Sequence, residues 1–308
     1  MRLKLPPWAF LLLLAAVVGG ILFWIDSYRH RFVQSNADLV HLLPRSDSTV
    51  LFANFALLRR AGMMHIVAGA KPAETQEYNQ FVQQTRFDYT RDIDALAAAI
   101  DHGQIFFAAR GRFDWDALRG YITAHGGSCP EAEVCNVSTS QPGRWASLVV
   151  IQPDVIGLSV GENRSAAKLL HKTRPRNATP VPSEPVWVEV SEKLLKNPGG
   201  LPLPLRIFAI TLQSASSVLI SLGPAERSDS SAFEIRLDAA CPNGVTASTI
   251  RNQLELQTKL LKLELARERR QPNPADLTGL LTSGSFQVVN GHVIGRWPVR
   301  KELLNALQ

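Results

Sequence analysis

The chain has 308 residues, of which 45% are hydrophobic and 19% are charged, a composition typical of a globular protein with one or two domains. The net charge is +6, and residues 1–31 hold about half of that surplus. No Lys- and Arg-rich patch with interleaved aromatic residues follows, so the composition argues against nucleic acid as a partner.

The N-terminal segment, residues 1–31, carries the strongest pattern in the sequence. From Trp8 to Ile25 no side chain is polar. A helix of that length rises about 27 Å, close to the roughly 30 Å hydrocarbon core of a bilayer. Trp8 and Trp24 stand at the two ends, where indole rings favour the membrane–water interface. The segment is therefore predicted to be a transmembrane helix that anchors the protein through residues 8–25.

A cleaved signal peptide and a buried soluble helix are the alternatives. A signal peptide usually has a shorter apolar region followed by small residues, whereas Phe23, Trp24 and Ile25 occupy that place here. Lys and Arg are balanced around the apolar run, and Asp26 tips the orientation towards an N-terminus inside. The protein is accordingly expected in the inner membrane as a single-pass protein, with its C-terminal region extracytoplasmic, in the periplasm.

Residues 38–172 are predicted to form a first α+β half. The apolar run STVLFA is typical of a strand, and Asn54 follows it in the position of a helix N-cap. Asp88, Asp92 and Asp94 come next, but the segment lacks the glycine and the number of oxygen ligands that a calcium loop needs. A solvated turn before the following strand is predicted instead.

Arg110 and Arg112, at the end of a later strand in FAARGRFDWDAL, are the candidate ligand-binding residues of the first half. Paired guanidinium groups can hold a phosphate or a carboxylate in a bidentate manner. A local explanation competes with this one, because Asp114 has the position of a helix N-cap and Phe113 and Leu118 those of a hydrophobic staple.

Cys129 and Cys135 bracket PEAEV in a polar connection, which suits a small disulfide loop in an oxidising compartment. This pair is the disulfide candidate, and it agrees with an extracytoplasmic location. Cys241 ends an apolar run and is expected to be a buried free thiol rather than a nucleophile.

The stretch HKTRPRNATPVPSEP, from His171 to Pro185, contains four prolines. Proline removes a backbone donor and restricts the residue before it, so neither a helix nor a strand can run through. Residues 173–185 are therefore predicted to be a linker, and residues 186–308 a second α+β half.

The two halves share an order of predicted elements: strand, helix, two strands, helix, two strands, helix. The tripeptide VIG occurs at Val155–Gly157 and at Val293–Gly295, each time in the last hairpin of its half, and Asn290-Gly291 is typical of a type I′ turn. We interpret the pattern as an internal duplication, with chance identity as the alternative. The predicted fold is α+β, with two similar halves after the transmembrane helix, each an antiparallel sheet with helices packed on one face.

The longest soluble helix is predicted from Thr246 to about Arg269. Its apolar side chains form a broad stripe, made of Ile250, Leu254, Leu256, Leu260, Leu261, Leu263 and Leu265. So wide a stripe usually faces the helix's own sheet, and a partner-binding or membrane-lying role is the alternative.

The seven histidines form no His-Glu-x-x-His motif and no Cys/His pattern with zinc spacing. A Gly-x-Ser-x-Gly elbow and a phosphate-binding glycine-rich loop are also missing from the sequence. The sequence therefore predicts no metal, no cofactor and no catalytic residue.

Together with the apolar N-terminal segment, the stretches LLPRSDSTVLFAN (Leu42 to Asn54), RGRFD and GRWPV give the chain a family likeness. It resembles uncharacterised bacterial membrane-anchored envelope proteins with a duplicated α+β extracytoplasmic region. The resemblance implies a location and an architecture, and it brings no catalytic residues with it.

These patterns favour a membrane-anchored binding or envelope-assembly module that is not an enzyme. The lipid bilayer would be one partner, through residues 8–25, and an envelope protein another. An extracytoplasmic hydrolase and a carrier of an apolar ligand are the alternatives.

Overall fold

The structure, a computed structural model, describes residues 33–306 except 34, 46, 65–75, 102, 132, 173–179, 198–202 and 226–232. Its fold is α+β, as predicted: antiparallel strands form one large sheet, and helices pack against it. The predicted anchor, with Trp8 and Trp24, lies outside the described residues, as does most of the predicted linker. Among the helices of the described part, none is long and apolar enough to cross a membrane.

The elements of the first half are α1 (Asn36–His41), β1 (Thr49–Ala53), α2 (Phe55–Arg60), α3 (Gln76–Thr85), α4 (Tyr89–Asp92), β2 (Ile93–Asp101), β3 (Gln104–Gly111), α5 (Trp115–Ala124), β4 (Ser128–Glu131), β5 (Val134–Ser138), β6 (Trp145–Gln152), β7 (Val155–Gly161) and α6 (Ala167–Lys172). Those of the second half are β8 (Val186–Val190), α7 (Glu192–Lys196), α8 (Leu203–Thr211), β9 (Ser217–Pro224), β10 (Phe233–Ala240), α9 (Gly244–Arg267), α10 (Leu277–Thr282), β11 (Ser285–Val289), β12 (His292–Val299) and α11 (Lys301–Ala306).

The two halves share one sheet, whereas a separate sheet was predicted for each. The strand order is β11-β12-β10-β9-β8-β1-β2-β3-β7-β6-β5-β4, and the halves meet where β1 pairs antiparallel with β8. Phe52 lies opposite Trp187 in this pair, with the ring centroids 5.7 Å apart. Two separate sheets would expose β1 and β8 as edge strands with unpaired backbone groups, and the joined sheet satisfies them.

Both halves follow the same path through the sheet. Outward from the join, the first half runs β1-β2-β3-β7-β6 and the second runs β8-β9-β10-β12-β11. Strands β4 and β5 extend the first half at its outer edge. The two VIG tripeptides fall in β7 and β12, which occupy the same place in the two paths.

The first hydrophobic core lies on the face of the sheet that carries Phe52, here called the Phe52 face. Helices α1 and α6 cover this face of the first half. The core is formed mainly by Leu39, Val40, Val50, Phe52, Ala97, Phe106, Ala108, Val149, Ala167, Leu170 and Trp187. Trp187 belongs to β8, so the second half contributes a large side chain to the core of the first.

The second core lies on the opposite face, here called the Leu51 face. The pairing register carries this face from Leu51 through Val188 and Ile220 to Leu237. Its buried side chains include Val218, Leu237, Ala239, Ile250, Leu254, Leu280, Val293 and Trp297. Each half was predicted to carry its helices on one face. The first half departs from this, because a small cluster around α2, with Ala53, Phe55 and Ile93, lies on its Leu51 face.

Local sequence signals place the element boundaries. The predicted N-caps Asn54 and Asp114 each accept a hydrogen bond from a backbone N–H of the first helical turn, and so does Ser191 before α7. Asn290 and Gly291 both have positive φ, as the predicted type I′ turn between β11 and β12 requires.

Candidate functional site

In the structure, Arg110 and Arg112 contact different partners. A guanidinium N–H of Arg110 donates to Asn36 Oδ1 at 2.7 Å, at the start of α1. Arg112 donates to the carbonyl oxygen of Arg91 at 2.7 Å and to Asp92 Oδ1 at 3.2 Å. The two side chains therefore contact different parts of the chain.

Asp92 is buried, with 8% of its side chain exposed, and does not lie in the solvated turn that the sequence predicted. It accepts hydrogen bonds from Arg91, from Arg112 and from the backbone N–H of Asp88. Burial works against its charge, but these donors outweigh it and lower the pKa of the Asp92 carboxyl below its usual value. The aspartate fixes the turn into β2.

Cys129 and Cys135 are joined by a disulfide that ties β4 to β5. Cys241 is free, and its Sγ–H donates weakly to the carbonyl oxygen of Ala239 at 3.5 Å. Burial, together with the nearby Asp238 carboxylate, raises the pKa of the Cys241 thiol. At neutral pH the thiol stays protonated, a poor nucleophile.

Two histidines of the described part have clear partners. Nδ1 of His125 lies 2.8 Å from the carbonyl oxygen of Tyr121, and Nδ1 of His292 lies 2.6 Å from Asp238 Oδ1. Neither of these contacts is to a serine or a cysteine, which a hydrolase triad would need. In the described segments, no group of three or more His, Cys, Asp or Glu side chains is placed to hold a metal ion.

The Phe52 face of the second half forms a groove of about 480 Å³, here called the sheet groove. The register places Arg236 of β10 beside Ser221 on one side and Arg296 on the other. Because the second core lies on the opposite face, these alternating polar side chains face the groove. Its main lining residues are Leu219, Ser221, Arg236, Asp238, His292 and Arg296.

Charges in the sheet groove are arranged in pairs. Arg236 Nε donates to Glu234, and His292 contacts Asp238 at the other end of the same strand. Arg236 and Arg296 lie directly opposite each other on neighbouring strands. Guanidinium groups can donate to a carboxylate or to backbone carbonyl groups of a bound segment. The groove is therefore equipped for polar binding.

A second depression, here called the junction recess, adjoins the groove where the halves meet. It has a volume of about 740 Å³ and shares Glu184 and Arg236 with the sheet groove. Its remaining walls are mainly apolar and include Leu57, Leu58, Met63, Pro185 and Phe233. This volume falls in the range of small-molecule sites.

Sequence reasoning missed both depressions. The groove residues come mainly from β9, β10, β11 and β12, and the pairing of β10 with β12 was not predicted. A signal was nevertheless present: Glu234, Arg236 and Asp238 alternate with apolar residues in FEIRLDAA. Such alternation indicates a strand with one solvent-exposed face.

No family model matches the chain, and no curated protein matches it. Among solved structures, crystal form I of TP0453 is similar to it, with a TM-score of 0.46 and 12% sequence identity. The similarity covers 89% of this chain and 98% of that one.

Proposed function

We propose that this protein is a non-catalytic binding module of the bacterial envelope, anchored in the inner membrane by residues 8–25 with its α+β region in the periplasm. The observation that carries the binding role is the sheet groove, a polar concave surface in which Arg236 and Arg296 occupy paired positions on neighbouring strands. A protein segment with carboxylate or carbonyl acceptors suits this lining, which makes an envelope protein the favoured partner.

The anchor rests on the apolar run from Trp8 to Ile25 and its flanking tryptophans. The Cys129–Cys135 disulfide supports an oxidising location for the rest of the chain. We also propose that the two halves arose by duplication of a five-strand unit, a view supported by their common strand order and the matching places of the VIG tripeptides.

Reporter fusions test the anchor and its orientation. A periplasm-dependent reporter at the C-terminus should be active, and the full-length protein should stay in the membrane pellet after alkaline carbonate extraction. A matched variant with Leu12→Lys and Val17→Lys should lose membrane retention, because each charge at the bilayer centre costs about 3 kcal/mol. Activity from a cytoplasm-dependent reporter alone would reject the proposed orientation.

Site-specific photo-cross-linking tests the groove. A photoreactive residue at Gln287 faces the groove, whereas one at the neighbouring Val288 points to the opposite face. In intact cells we expect a discrete protein adduct from the photoreactive residue at position 287 and a weaker adduct from the one at position 288. The adduct from position 287 should be lost when Arg296→Glu is added. Equal adducts from both positions, or adducts that ignore Arg296→Glu, would contradict a binding role for the groove.

Transport of an apolar ligand is the second candidate, and the junction recess favours it. Ala61 lines this recess, so Ala61→Trp should fill it, while Ala124→Trp, at the end of α5, serves as the control. Organic extraction of the purified full-length protein should release an apolar molecule from the wild type and the control, and not from Ala61→Trp. A wild-type protein that carries no such molecule would reject the carrier.

A further inference from the structure

Helix α9 exposes a line of leucines on the side away from the sheet. Leu256 and Leu260 are each 54% exposed and Leu263 is 65% exposed. On the opposite side of the helix, Ala247, Ile250 and Leu254 belong to the second core, and Leu265 is also buried. The apolar stripe predicted for this helix is therefore two stripes on opposite sides, and only one of them is covered by the chain's own sheet.

The exposed leucines follow the spacing of a coiled-coil seam. The step from Leu256 to Leu260 is four residues and the step to Leu263 is three, which assigns them to positions d, a and d of a heptad. Leucine at position d is typical of parallel two-stranded coils. Gln253 and Arg267 fall on the flanking a positions, so the apolar seam has three layers and ends at polar residues.

The charges beside the seam select one partner and one orientation. Lys259 takes position g and Glu264 the following position e. In a parallel two-stranded coil, a g residue meets the e residue five positions on in the other helix. Lys259 of one copy would thus meet Glu264 of a second copy, and symmetry supplies the same pair again. An antiparallel arrangement brings g to g and e to e, which places like charges together.

We propose that the outer stripe of α9, formed by Leu256, Leu260 and Leu263, is a dimerisation seam that pairs in parallel with the same stripe of a second copy of this chain. Bilayer lipid is the competing occupant, since leucines beside basic residues also suit a membrane surface. The Lys259–Glu264 match favours a second copy, because a lipid surface gains nothing from Glu264. This inference requires neither the anchor nor the sheet groove.

Cysteine cross-linking of the full-length chain tests the seam. In a Cys241→Ser background, Leu260→Cys places one thiol at the centre of the seam, and a dimer should bring the two copies' thiols within disulfide distance. Lys262→Cys lies on the same helix but away from the seam and is the matched control. We expect at least tenfold more disulfide-linked dimer from position 260 than from position 262. Equal yields from both positions would overturn the proposal.

Exchange of the two charges distinguishes a second copy of the chain from the bilayer as the partner of the seam. Lys259→Glu and Glu264→Lys should each raise the dimer dissociation constant about tenfold, equivalent to about 1.4 kcal/mol, and the double exchange should restore it. Sedimentation of the detergent-solubilised full-length protein measures this, and cross-linking at Leu260→Cys gives the same ranking. A double variant no better than the single ones overturns the proposal. So does a wild type that stays monomeric while a fluorophore at position 260 shifts to the blue on vesicles.

Discussion

Asp92 carries a charge that is almost completely buried, with 8% of its side chain exposed. Its carboxylate receives charged hydrogen bonds from Arg91 and Arg112, which both lie largely in solvent. Gly111 allows this approach, since a Cβ there would lie 2.2 Å from the carbonyl oxygen of Asp92. Arg112, one of the two arginines predicted to bind a ligand, thus holds the turn between α4 and β2.

Replacement of Asp92 by Asn should lower the free energy of unfolding by about 2 kcal/mol, because hydrogen bonds to a charged group contribute about 1.5–3 kcal/mol. The control is Asp94→Asn, whose carboxylate pairs with Arg59 but is 45% exposed. An exposed pair contributes less than about 1 kcal/mol. Urea denaturation of both variants measures the difference, and equal losses would show that burial of Asp92 does not matter.

Low pH should destabilise the protein because it protonates the aspartates of the same turn. The pKa values of Asp88 and Asp92 are both lowered in the folded protein, since hydrogen bonds from Thr90, Tyr78 and Arg91 outweigh the effect of burial. Their stabilisation is present above the pKa of an unfolded aspartate, about 3.9, and is lost as the pH falls through the folded values. The urea midpoint, measured from pH 5 to pH 2, should fall less steeply in Asp92→Asn than in the wild type.

The glycines of the two VIG tripeptides, Gly157 and Gly295, both lie close to large side chains. A Cβ on Gly157 of β7 would lie 2.8 Å from Leu170 of α6 and 2.9 Å from Val149 of β6. On Gly295 of β12 it would lie 3.1 Å from Phe286 and Trp297. In each half the glycine therefore leaves space for a larger side chain that packs over the sheet.

Gly157→Ala should cost about 1–3 kcal/mol, as overpacked core substitutions do. Gly120→Ala is the matched control, for which we expect the opposite effect on stability. Gly120 lies inside helix α5 with open space where a Cβ would go, so alanine should stabilise the protein by about 0.5–1 kcal/mol. Thermal unfolding of the two variants should give shifts of opposite sign, and a neutral Gly157→Ala would show that Leu170 can move away without cost.

Sequence patterns predicted most elements, because N-caps, turn residues and apolar periodicity act within a few residues. Asn54, Asp114 and Ser191 are examples in which the local signal and the structure agree. The way these elements assemble could not be predicted from such local signals. Nothing near Phe52 in the sequence indicates that it would stack on Trp187, and the sheet groove depends on the same long-range pairings.

Where the two halves join, the second half contributes side chains to the core of the first. Trp187 starts the second half in the sequence, yet it is buried in the core of the first half. Leu219 of β9 also packs against that core. The two halves therefore share a core as well as a sheet.

Trp187→Ala should therefore destabilise the half that does not contain it. Loss of so large a buried side chain costs about 3–5 kcal/mol, and it should reach β2 through Phe52, which contacts Trp187 and pairs with Ala97. Hydrogen exchange with mass spectrometry should show reduced protection in β2 and β3 as well as in β8 and β9. Trp297→Ala, in the second core, is the matched control and should act first on β10 and β12. If Trp187→Ala leaves the protection of β2 unchanged, the halves are independent domains, and the shared sheet is a contact rather than a common core.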